Sequence, residues 1–355
     1  NHNSVNGIRE FARGRGASVT YLPVIAPELL LDEAVLWQTL ATADPQAANL
    51  LAYPAQSNFS GVQHPLEWVA AAQARGWDVL LDCAAFAPTN ELRLDGVKPD
   101  FVPLSFYKLF GYPTGVGALI ARRAALHKLR RPWFAGGTIT IASVQGEGWH
   151  YLIPGAAGFE DGTVNYLNLP AVEMGLRHLQ AVGVGAIHER VRCLTGWLLD
   201  QFGGLRHTNG APLVRLFGPH TLERRGGTLA FYLLDPHGAP FDLRGVELLA
   251  GEQRISLRTG CFCNPGAGEV AHDLRREEMA SCFAGSGPLA FSEFFALIHA
   301  QTGKTPSTMR VSLGLASNFA DVHRFVAFLA TFLDRHAAEL AVVAGGDHAP
   351  APDGA

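Results

Sequence analysis

The sequence is poor in features that mark several classes of protein. It has five cysteines, an odd number scattered along 355 residues except for one C-x-C pair, which argues against a disulfide framework and predicts a reducing compartment, the cytoplasm by default. The formal charge of −4 offers no basic surface for nucleic acid. No apolar run reaches the length that spans a bilayer, so we expect no membrane partner.

The chain also lacks the features of an ordinary protein start. It opens at residues 1–5 without an initiator Met or a signal peptide, so we expect that an N-terminal segment is missing. What it does contain is material for hydrophobic cores, with 48% hydrophobic and 10% aromatic residues. The length and composition predict a folded, soluble protein with one large domain and one smaller domain.

Two short apolar runs each end on polar residues. Residues 78–82 and 100–105 are too short for helices and predict buried parallel strands that end at Asp82 and Ser105. Because ligands bind at the carboxyl ends of strands in an open α/β sheet, Asp82, Ser105, Tyr107 and Lys108 should face one crevice. Pyridoxal phosphate needs such a pair, since a lysine carries its aldehyde as a Schiff base and an acid keeps its pyridine nitrogen protonated. A capping Asp and a solvated Lys would fit the same pattern.

The hydrophobic pattern predicts an α/β protein with two domains and a tail. Helices are expected at residues 8–15, 27–43, 65–75, 122–131, 169–182, 186–202 and 319–335. Strands are expected at residues 18–24, 49–53, 78–82, 100–105, 118–121, 228–234, 254–257 and 309–313. We place the large domain at residues 1–182, a small C-terminal α/β domain at 183–345 and a loose tail at 346–355.

Three polar loops are candidates for holding a ligand. Asn58 lies in the loop 54–61, which follows a predicted strand, and a turn Asn bonded to its own backbone is the alternative. The loops 135–138 and 159–163 combine glycine with threonine and could offer backbone N–H groups and a hydroxyl to a phosphate. Plain turns would have the same composition.

The stretch 258–266 contains the C-x-C pair, Cys261 and Cys263. A zinc site is not expected, because the chain has no second cluster to complete four ligands. A thiol beside Arg258 could instead be a nucleophile, and the glycine-bearing segment after Cys263 could be flexible. Arg310 lies within a predicted apolar strand and needs an anion, either a substrate carboxylate or a structural acid.

These stretches together resemble the class V, cysteine-desulfurase-like branch of fold type I pyridoxal phosphate enzymes, and most closely the desulfurase domain of molybdenum cofactor sulfurases. The resemblance implies a mainly parallel sheet in the large domain and a smaller C-terminal α/β domain. The matching stretches, in family order, are residues 2–10, 54–61, 104–115, 159–163, 258–266 and 309–314.

The resemblance implies a role for each candidate residue. Lys108 would be the Schiff-base lysine, Asp82 the partner of the pyridine nitrogen and His2 the residue stacked on the cofactor ring, which could also act as an acid or base. The remaining cofactor contacts would be Asn58 to the ring hydroxyl, Ser105 and Tyr107 to the phosphate, and Thr163 to the phosphate of the neighbouring subunit. This last position implies a homodimer.

The resemblance also implies the reaction. Arg310 would hold the carboxylate of L-cysteine, and Cys263, with Arg258 in the same loop, would carry a persulfide to an acceptor such as molybdenum cofactor. Two other functions remain open: another class V lyase or aminotransferase in which Cys263 is idle, and an inactive scaffold or sulfur-acceptor module.

Three departures from the family pattern put details in doubt. Simple desulfurases have a glutamine where this chain has Ala85, and many sulfurases have a third cysteine near the position of Gly268. The family's glycine-rich phosphate loop, which precedes the position of His2, is absent, as is a C-terminal domain for the molybdenum cofactor. We therefore expect weaker cofactor binding than in a chain extended at its N-terminus, and the match covers the desulfurase domain only.

Overall fold

A computed structural model describes residues 1–284, 287 and 289–340. The chain divides into two compact units. The discontinuous unit comprises Asn1–Val35, Gln56–Gln63 and the chain from Glu189 onward, and the central unit comprises Leu36–Ala55 and His64–His188. The predicted domain limits, 1–182 and 183–345, stay a prediction, and the predicted tail, 346–355, lies outside the described residues.

The elements are numbered in chain order. The strands are β1 (Val24–Ile25), β2 (Leu30–Leu31), β3 (Leu50–Pro54), β4 (Asp78–Asp82), β5 (Phe101–Ser105), β6 (Gly117–Ala121), β7 (Ile139–Ala142), β8 (His150–Leu152), β9 (Val214–Phe217), β10 (Thr228–Leu233), β11 (Arg258–Gly260) and β12 (Thr308–Ser312). The α-helices are α1 (Asn3–Asn6), α2 (Ile8–Gly14), α3 (Glu33–Leu40), α4 (Trp68–Gln73), α5 (Phe106–Phe110), α6 (Arg123–Leu126), α7 (Leu169–Val182), α8 (Val184–Gly204), α9 (Leu243–Glu252), α10 (Pro265–Ala271), α11 (Arg276–Cys282), α12 (Phe291–Thr302) and α13 (Phe319–Ala330). Among the described residues, no helix has both the length and the apolar character that crossing a membrane requires.

The central unit is built on a four-stranded sheet with the order β3-β4-β5-β6. The first three strands are parallel, and β6 runs antiparallel to β5. Val79, Leu81 and Val102 are buried in it, as expected where apolar runs form the middle of a sheet. The four strands predicted between residues 49 and 121 are confirmed, and the ends of β4 and β5 lie at the same edge.

The discontinuous unit contains an antiparallel sheet with the order β11-β12-β10-β9. Strand β10 is buried along its whole length. The ring of Phe231 in β10 lies 5.3 Å from that of Phe202 in α8 and 6.0 Å from that of Phe325 in α13. Aromatic pairs at these distances stabilise a packed core, on which β10 lies with β12 as its neighbour and β11 paired to β12.

The loop Gln56–Gln63 is anchored on this sheet by a close backbone approach. Gly61 has a φ of +76°, and a Cβ at this position would collide with the carbonyl oxygen of Thr228. The amide of Gly226 also donates to the carbonyl of Gly61 at 2.8 Å. The positive φ and the lack of space for a Cβ both require a glycine here. This close approach also positions Asn58, three residues earlier in the loop.

Two predicted elements near the N-terminus are wrong in extent. The strand predicted at 18–24 is reduced to β1, which pairs with β2, and the residues before β1 are largely exposed. The helix predicted at 27–43 is reduced to α3, because Leu29 has a left-handed φ of +54° and the next two residues form β2. Asp32 then accepts a hydrogen bond from the amide of Val35 at 3.1 Å and starts the helix.

Two further predictions shift for local reasons. Residues 254–257 are not a strand, because they complete the end of α9: Arg254 has a φ of +58°, and the amide of Ile255 donates to the carbonyl of Ala250 at 2.8 Å. The strand β11 starts only at Arg258. The helix predicted at 122–131 stops at Leu126 in α6, after which the amides of Lys128 and Leu129 donate to the carbonyls three residues before them instead of four, at 3.0 and 3.2 Å.

Candidate active site

The candidate sulfur carrier lies on a tight turn between β11 and α10, in the discontinuous unit. Phe262 and Cys263 have φ angles of +54° and +52°, a left-handed region that residues other than glycine seldom occupy. The side chain of Phe262 is buried, Cys261 is half-buried and Cys263 is exposed. The two thiols of the C-x-C pair therefore differ in exposure, which their spacing does not predict.

Hydrogen bonds hold the backbone of this turn on two sides. The side-chain amide of Asn58 donates to the carbonyl of Phe262 at 2.7 Å, and the backbone amide of Asn3 donates to the carbonyl of Cys263 at 2.7 Å. Asn264 is buried and precedes α10, which begins at Pro265. The segment after Cys263 is thus the start of a helix, and its flexibility stays a prediction.

Two arginines lie directly opposite each other beside the turn. The register of β11 and β12 pairs Arg258 with Arg310, and like charges at opposed positions destabilise a sheet. Burial, together with the positive charge of Arg258, lowers the pKa of Arg310 to about 10, and Cys263 acts in the opposite direction. An anion bound by these arginines would relieve both the desolvation and the repulsion.

The guanidinium of Arg310 has a fixed position. Its Nη1 donates to the backbone carbonyl of Asn58 at 2.8 Å, and its central carbon lies 4.4 Å from the centroid of the Phe262 ring. A cation stacked on an aromatic face is held flat. Its remaining N–H groups can then meet a carboxylate in a fork geometry.

His2 is placed next to the same turn by the fold of the first helix. Its Nδ1 lies 2.8 Å from the hydroxyl of Ser4 and accepts a hydrogen bond from the amide of Ser4 at 3.1 Å, so the side chain caps α1. The following residue, Asn3, bonds the carbonyl of Cys263. The predicted stacking of His2 on a cofactor ring stays a prediction.

The central unit presents a second set of candidates at the carboxyl ends of two neighbouring strands. Asp82 is buried at the end of β4, where one carboxylate oxygen accepts a hydrogen bond from the amide of Ala84 at 3.0 Å. Ser105 ends β5, and its hydroxyl does not cap α5, the helix that follows. Lys108 is half-buried in that helix, and its Nζ lies 5.9 Å from the ring centroid of Tyr107.

The two glycine-threonine loops of the central unit meet through their backbones. The amide of Gly162 donates to the carbonyl of Gly136 at 2.8 Å. The hydroxyl of Thr138 is buried and bonds the backbone of Ala135 in both directions, at 2.7 and 2.9 Å, so it stabilises a turn. Thr163 is exposed, and its predicted contact with a neighbouring subunit stays a prediction.

The structure groups the predicted residues within units. The discontinuous unit brings together His2, Asn58, Arg258, Cys263 and Arg310, and the central unit brings together Asp82, Ser105, Tyr107 and Lys108 at its strand ends. Both atoms of the Asn58 side-chain amide are engaged with the turn. Its oxygen retains a second lone pair, and its predicted bond to a ring hydroxyl stays a prediction.

Three residues that shape the turn were not predicted from the sequence, namely Asn3, Phe262 and Asn264. The Asn-Pro pair at positions 264 and 265 is a helix-start signal, so the capping role of Asn264 could have been predicted. Its bond to Asn58 joins residues 206 positions apart and leaves no local signal.

The other cysteines are less suited to chemistry. Burial, reinforced by the negative charge of Asp82, raises the pKa of Cys83 to about 12, so its thiol stays neutral. Cys282 is buried, and Cys193 is exposed in α8. Within the part of the chain that the structure describes, no group of three or more His, Cys, Asp or Glu side chains could hold a metal ion.

Comparison with known proteins places the chain among related folds and sequences. A family model described as Aminotransferase class-V matches residues 1–325. The chain is 33% identical over 347 residues to a molybdenum cofactor sulfurase of Bos taurus, covering 92% of this chain and 38% of that protein. It is 32% identical over 365 residues to a molybdenum cofactor sulfurase of Arabidopsis thaliana, covering 93% and 44%. It therefore spans less than half the length of these relatives.

The fold also resembles a solved structure, the apo form of a cysteine desulfurase from Thermococcus onnurineus. The TM-score is 0.70 at 21% sequence identity, with 94% of this chain and 70% of that chain covered. This likeness, together with the mainly parallel sheet of the central unit, confirms the predicted fold class, the α/β fold of type I.

Proposed function

We propose that the chain, which belongs to the class V aminotransferase family, is a pyridoxal phosphate-dependent cysteine desulfurase. It takes sulfur from L-cysteine, leaves alanine and passes the sulfur from Cys263 to an acceptor. Its similarity to molybdenum cofactor sulfurases supports molybdenum cofactor as that acceptor. The cytoplasm, with its reduced thiols, is the compartment that we propose for it.

The observation that carries this proposal is the pairing of an exposed thiol with two opposed arginines. Arg258 and Arg310 face each other across β11 and β12, and Cys263 lies on the turn that follows β11. An amino acid's carboxylate would neutralise the half-buried guanidinium of Arg310. The side chain of a bound L-cysteine would then lie near the Cys263 thiol, which is the nucleophile that the reaction needs.

The central unit has the donor set that pyridoxal phosphate requires. Asp82 is a buried carboxylate at a strand end, Lys108 is a half-buried amine one short turn beyond the next strand, and the Ser105 hydroxyl is not used as a cap. Lys108 would carry the cofactor, Asp82 would face its pyridine nitrogen, and Ser105 and Tyr107 would bond its phosphate. When bound, the cofactor supplies an electron sink for bonds at the substrate's Cα.

Residues of the chain itself bind the substrate, move its proton and accept its sulfur. Arg310 binds and orients the substrate carboxylate, with Arg258 adding positive charge, and Lys108 moves the Cα proton of L-cysteine. Cys263 forms an S–S bond with the substrate sulfur as the C–S bond of L-cysteine breaks. Each turnover converts one L-cysteine and one thiol into one alanine and one persulfide, so no external oxidant or reductant is consumed. His2 serves as an acid or base beside the turn.

A homodimer is the assembly that we propose. Large apolar side chains are exposed along the central unit, and they include Ile141, Trp149, Tyr151, Tyr166, Leu167 and Met174. An exposed apolar area of this kind is expected to bind another protein surface, and a second copy would explain the predicted role of Thr163. Light scattering on the purified protein tests this, and a monomer at micromolar concentration would contradict it.

The experiment that tests the function is an L-cysteine assay with wild type and Lys108→Ala, followed by absorbance spectroscopy and quantification of alanine. We expect wild type to show the visible cofactor band and to form alanine. We expect Lys108→Ala to lose that band together with its reducibility by borohydride. Another class V lyase or aminotransferase would show the band without alanine and persulfide. An inactive scaffold or acceptor module would show no band in either protein.

A further inference from the structure

We infer that Asn264 is a positioning residue, which fixes both the Cys263 turn and Arg310 through the side chain and backbone of Asn58. The role of the turn in sulfur transfer rests on the proposed function. The arrangement itself is a property of the discontinuous unit and can be tested without turnover.

Asn264 uses both ends of its side-chain amide. It is 2% exposed, its Nδ2 donates to Oδ1 of Asn58 at 2.9 Å, and its Oδ1 accepts from the amide of Ala267 at 3.4 Å, which caps α10. The donor end therefore connects two distant parts of the chain, while the acceptor end serves the local helix. A buried amide with both ends paired has one favoured orientation.

Asn58, held by Asn264, forms hydrogen bonds with two other groups. Its Nδ2 donates to the carbonyl of Phe262 at 2.7 Å, and its backbone carbonyl accepts from Nη1 of Arg310 at 2.8 Å. Because the Asn58 amide has its oxygen fixed by Asn264, its nitrogen must point to Phe262. Loss of the Asn264 donor would release the Asn58 side chain, then the Phe262 carbonyl, and then the ring on which Arg310 stacks.

The turn needs such restraint because its backbone is unfavourable. Two consecutive residues with side chains, Phe262 and Cys263, are held at positive φ, which costs free energy unless the surroundings compensate. With the backbone fixed, only rotation about χ1 moves the sulfur of the exposed Cys263 side chain. Sulfur is then received and delivered without rearrangement of the turn.

The test is Asn264→Asp, because an aspartate keeps the acceptor that caps α10 and removes the amide donor to Asn58. Hydrogen exchange of the peptide 258–268 should be about tenfold faster than in wild type, the effect of losing one buried hydrogen bond. The KM for L-cysteine should rise and kcat for alanine formation should fall, because the Cys263 turn and the Phe262 ring under Arg310 both lose a restraint.

Asn318→Asp is the matched control, since Asn318 also caps a helix in the same unit by accepting from the amide of Asp321 at 3.2 Å. We expect its 258–268 peptide and its kinetics to match wild type. If Asn264→Asp does not fold, Asn264→Ser replaces it, because serine also caps and lacks the amide donor. Wild-type exchange in the variant would overturn the inference. Faster exchange in the variant, combined with no alanine from wild type, would leave the inference intact and refute the proposed function.

Discussion

The discontinuous unit and the central unit position their candidate residues in different ways. In the discontinuous unit, Asn58, Phe262, Asn264 and Arg310 are tied to one another by hydrogen bonds and ring stacking across more than 200 residues of sequence. In the central unit, Asp82 and Ser105 lie where they do because neighbouring strands end there.

A single substitution should therefore have different consequences in the two units. A residue placed by the end of a strand can be changed while the strand remains, so its loss should affect one function. Where residues hold one another through a series of side-chain contacts, the loss of one residue should also free the others in the series. The two units should therefore differ in their responses to pH, in their effects on substrate affinity and in their effects on cofactor affinity.

The largest expected effect concerns the central unit at alkaline pH. The Cys83 thiol has a pKa of about 12 because it is buried next to the charge of Asp82. The unfolded thiol ionises at its ordinary pKa, so stability is lost as pH rises from there toward the folded pKa. Wild type should lose about 4 kcal/mol of its free energy of unfolding over this whole pH range, and about half of that by pH 10.5. Cys83→Ala should not show this loss. Urea unfolding at pH 7 and pH 10.5 measures it, and an equal difference between variant and wild type at both pH values would contradict it.

The discontinuous unit should respond at the opposite end of the pH range. Burial lowers the pKa of His272 to about 4, with the charge of Arg215 acting in the same direction, and Nδ1 of His272 lies 2.5 Å from the hydroxyl of Tyr232. Because the unfolded imidazole binds a proton near pH 6.5, stability should fall as pH drops from 6.5 to 4, by about 3 kcal/mol. His272→Gln should flatten this slope in urea unfolding. A slope unchanged from that of wild type would refute the assignment.

Substrate affinity should depend on the discontinuous unit. Arg310→Gln should raise the KM for L-cysteine about a hundredfold, since removing one partner of a hydrogen-bonded charge pair is costly. Arg258→Gln is the comparison, and its effect should be about threefold because an exposed cation is screened by solvent. Steady-state kinetics measure both, and equal effects would mean that the two arginines share the carboxylate.

The smallest effect should be confined to the central unit. Ser105→Ala removes a hydroxyl that caps no helix, so unfolding should be unchanged while affinity for pyridoxal phosphate falls about tenfold, the effect of one hydrogen bond to a charged group. Ser143→Ala, in the same unit, is the control. Cofactor titration followed by absorbance decides, and wild-type affinity in Ser105→Ala would remove Ser105 from the phosphate site.

The contrast between the units also explains how much the sequence could predict. The strands β3, β4 and β5 and the helix α7 follow from apolar runs and helical spacing, and the positions of Asp82 and Lys108 follow from the strand ends. Leu29 and Phe262 have left-handed φ angles, which residues other than glycine seldom adopt, so the pattern around Leu29 predicted a helix where the turn to β2 forms. The bond between Asn58 and Asn264 joins residues 206 positions apart and leaves no local pattern.

The central claim is that Cys263 carries the sulfur, and mapping of the persulfide tests it most directly. Wild type, Cys261→Ser and Cys263→Ser are incubated with L-cysteine and alkylated, and the persulfide is located by mass spectrometry while alanine is quantified. We expect a persulfide on Cys263 in wild type and in Cys261→Ser, with Cys193 unmodified as an internal control because it is exposed in α8. A persulfide in Cys263→Ser, with alanine formed at the wild-type rate, would contradict the claim.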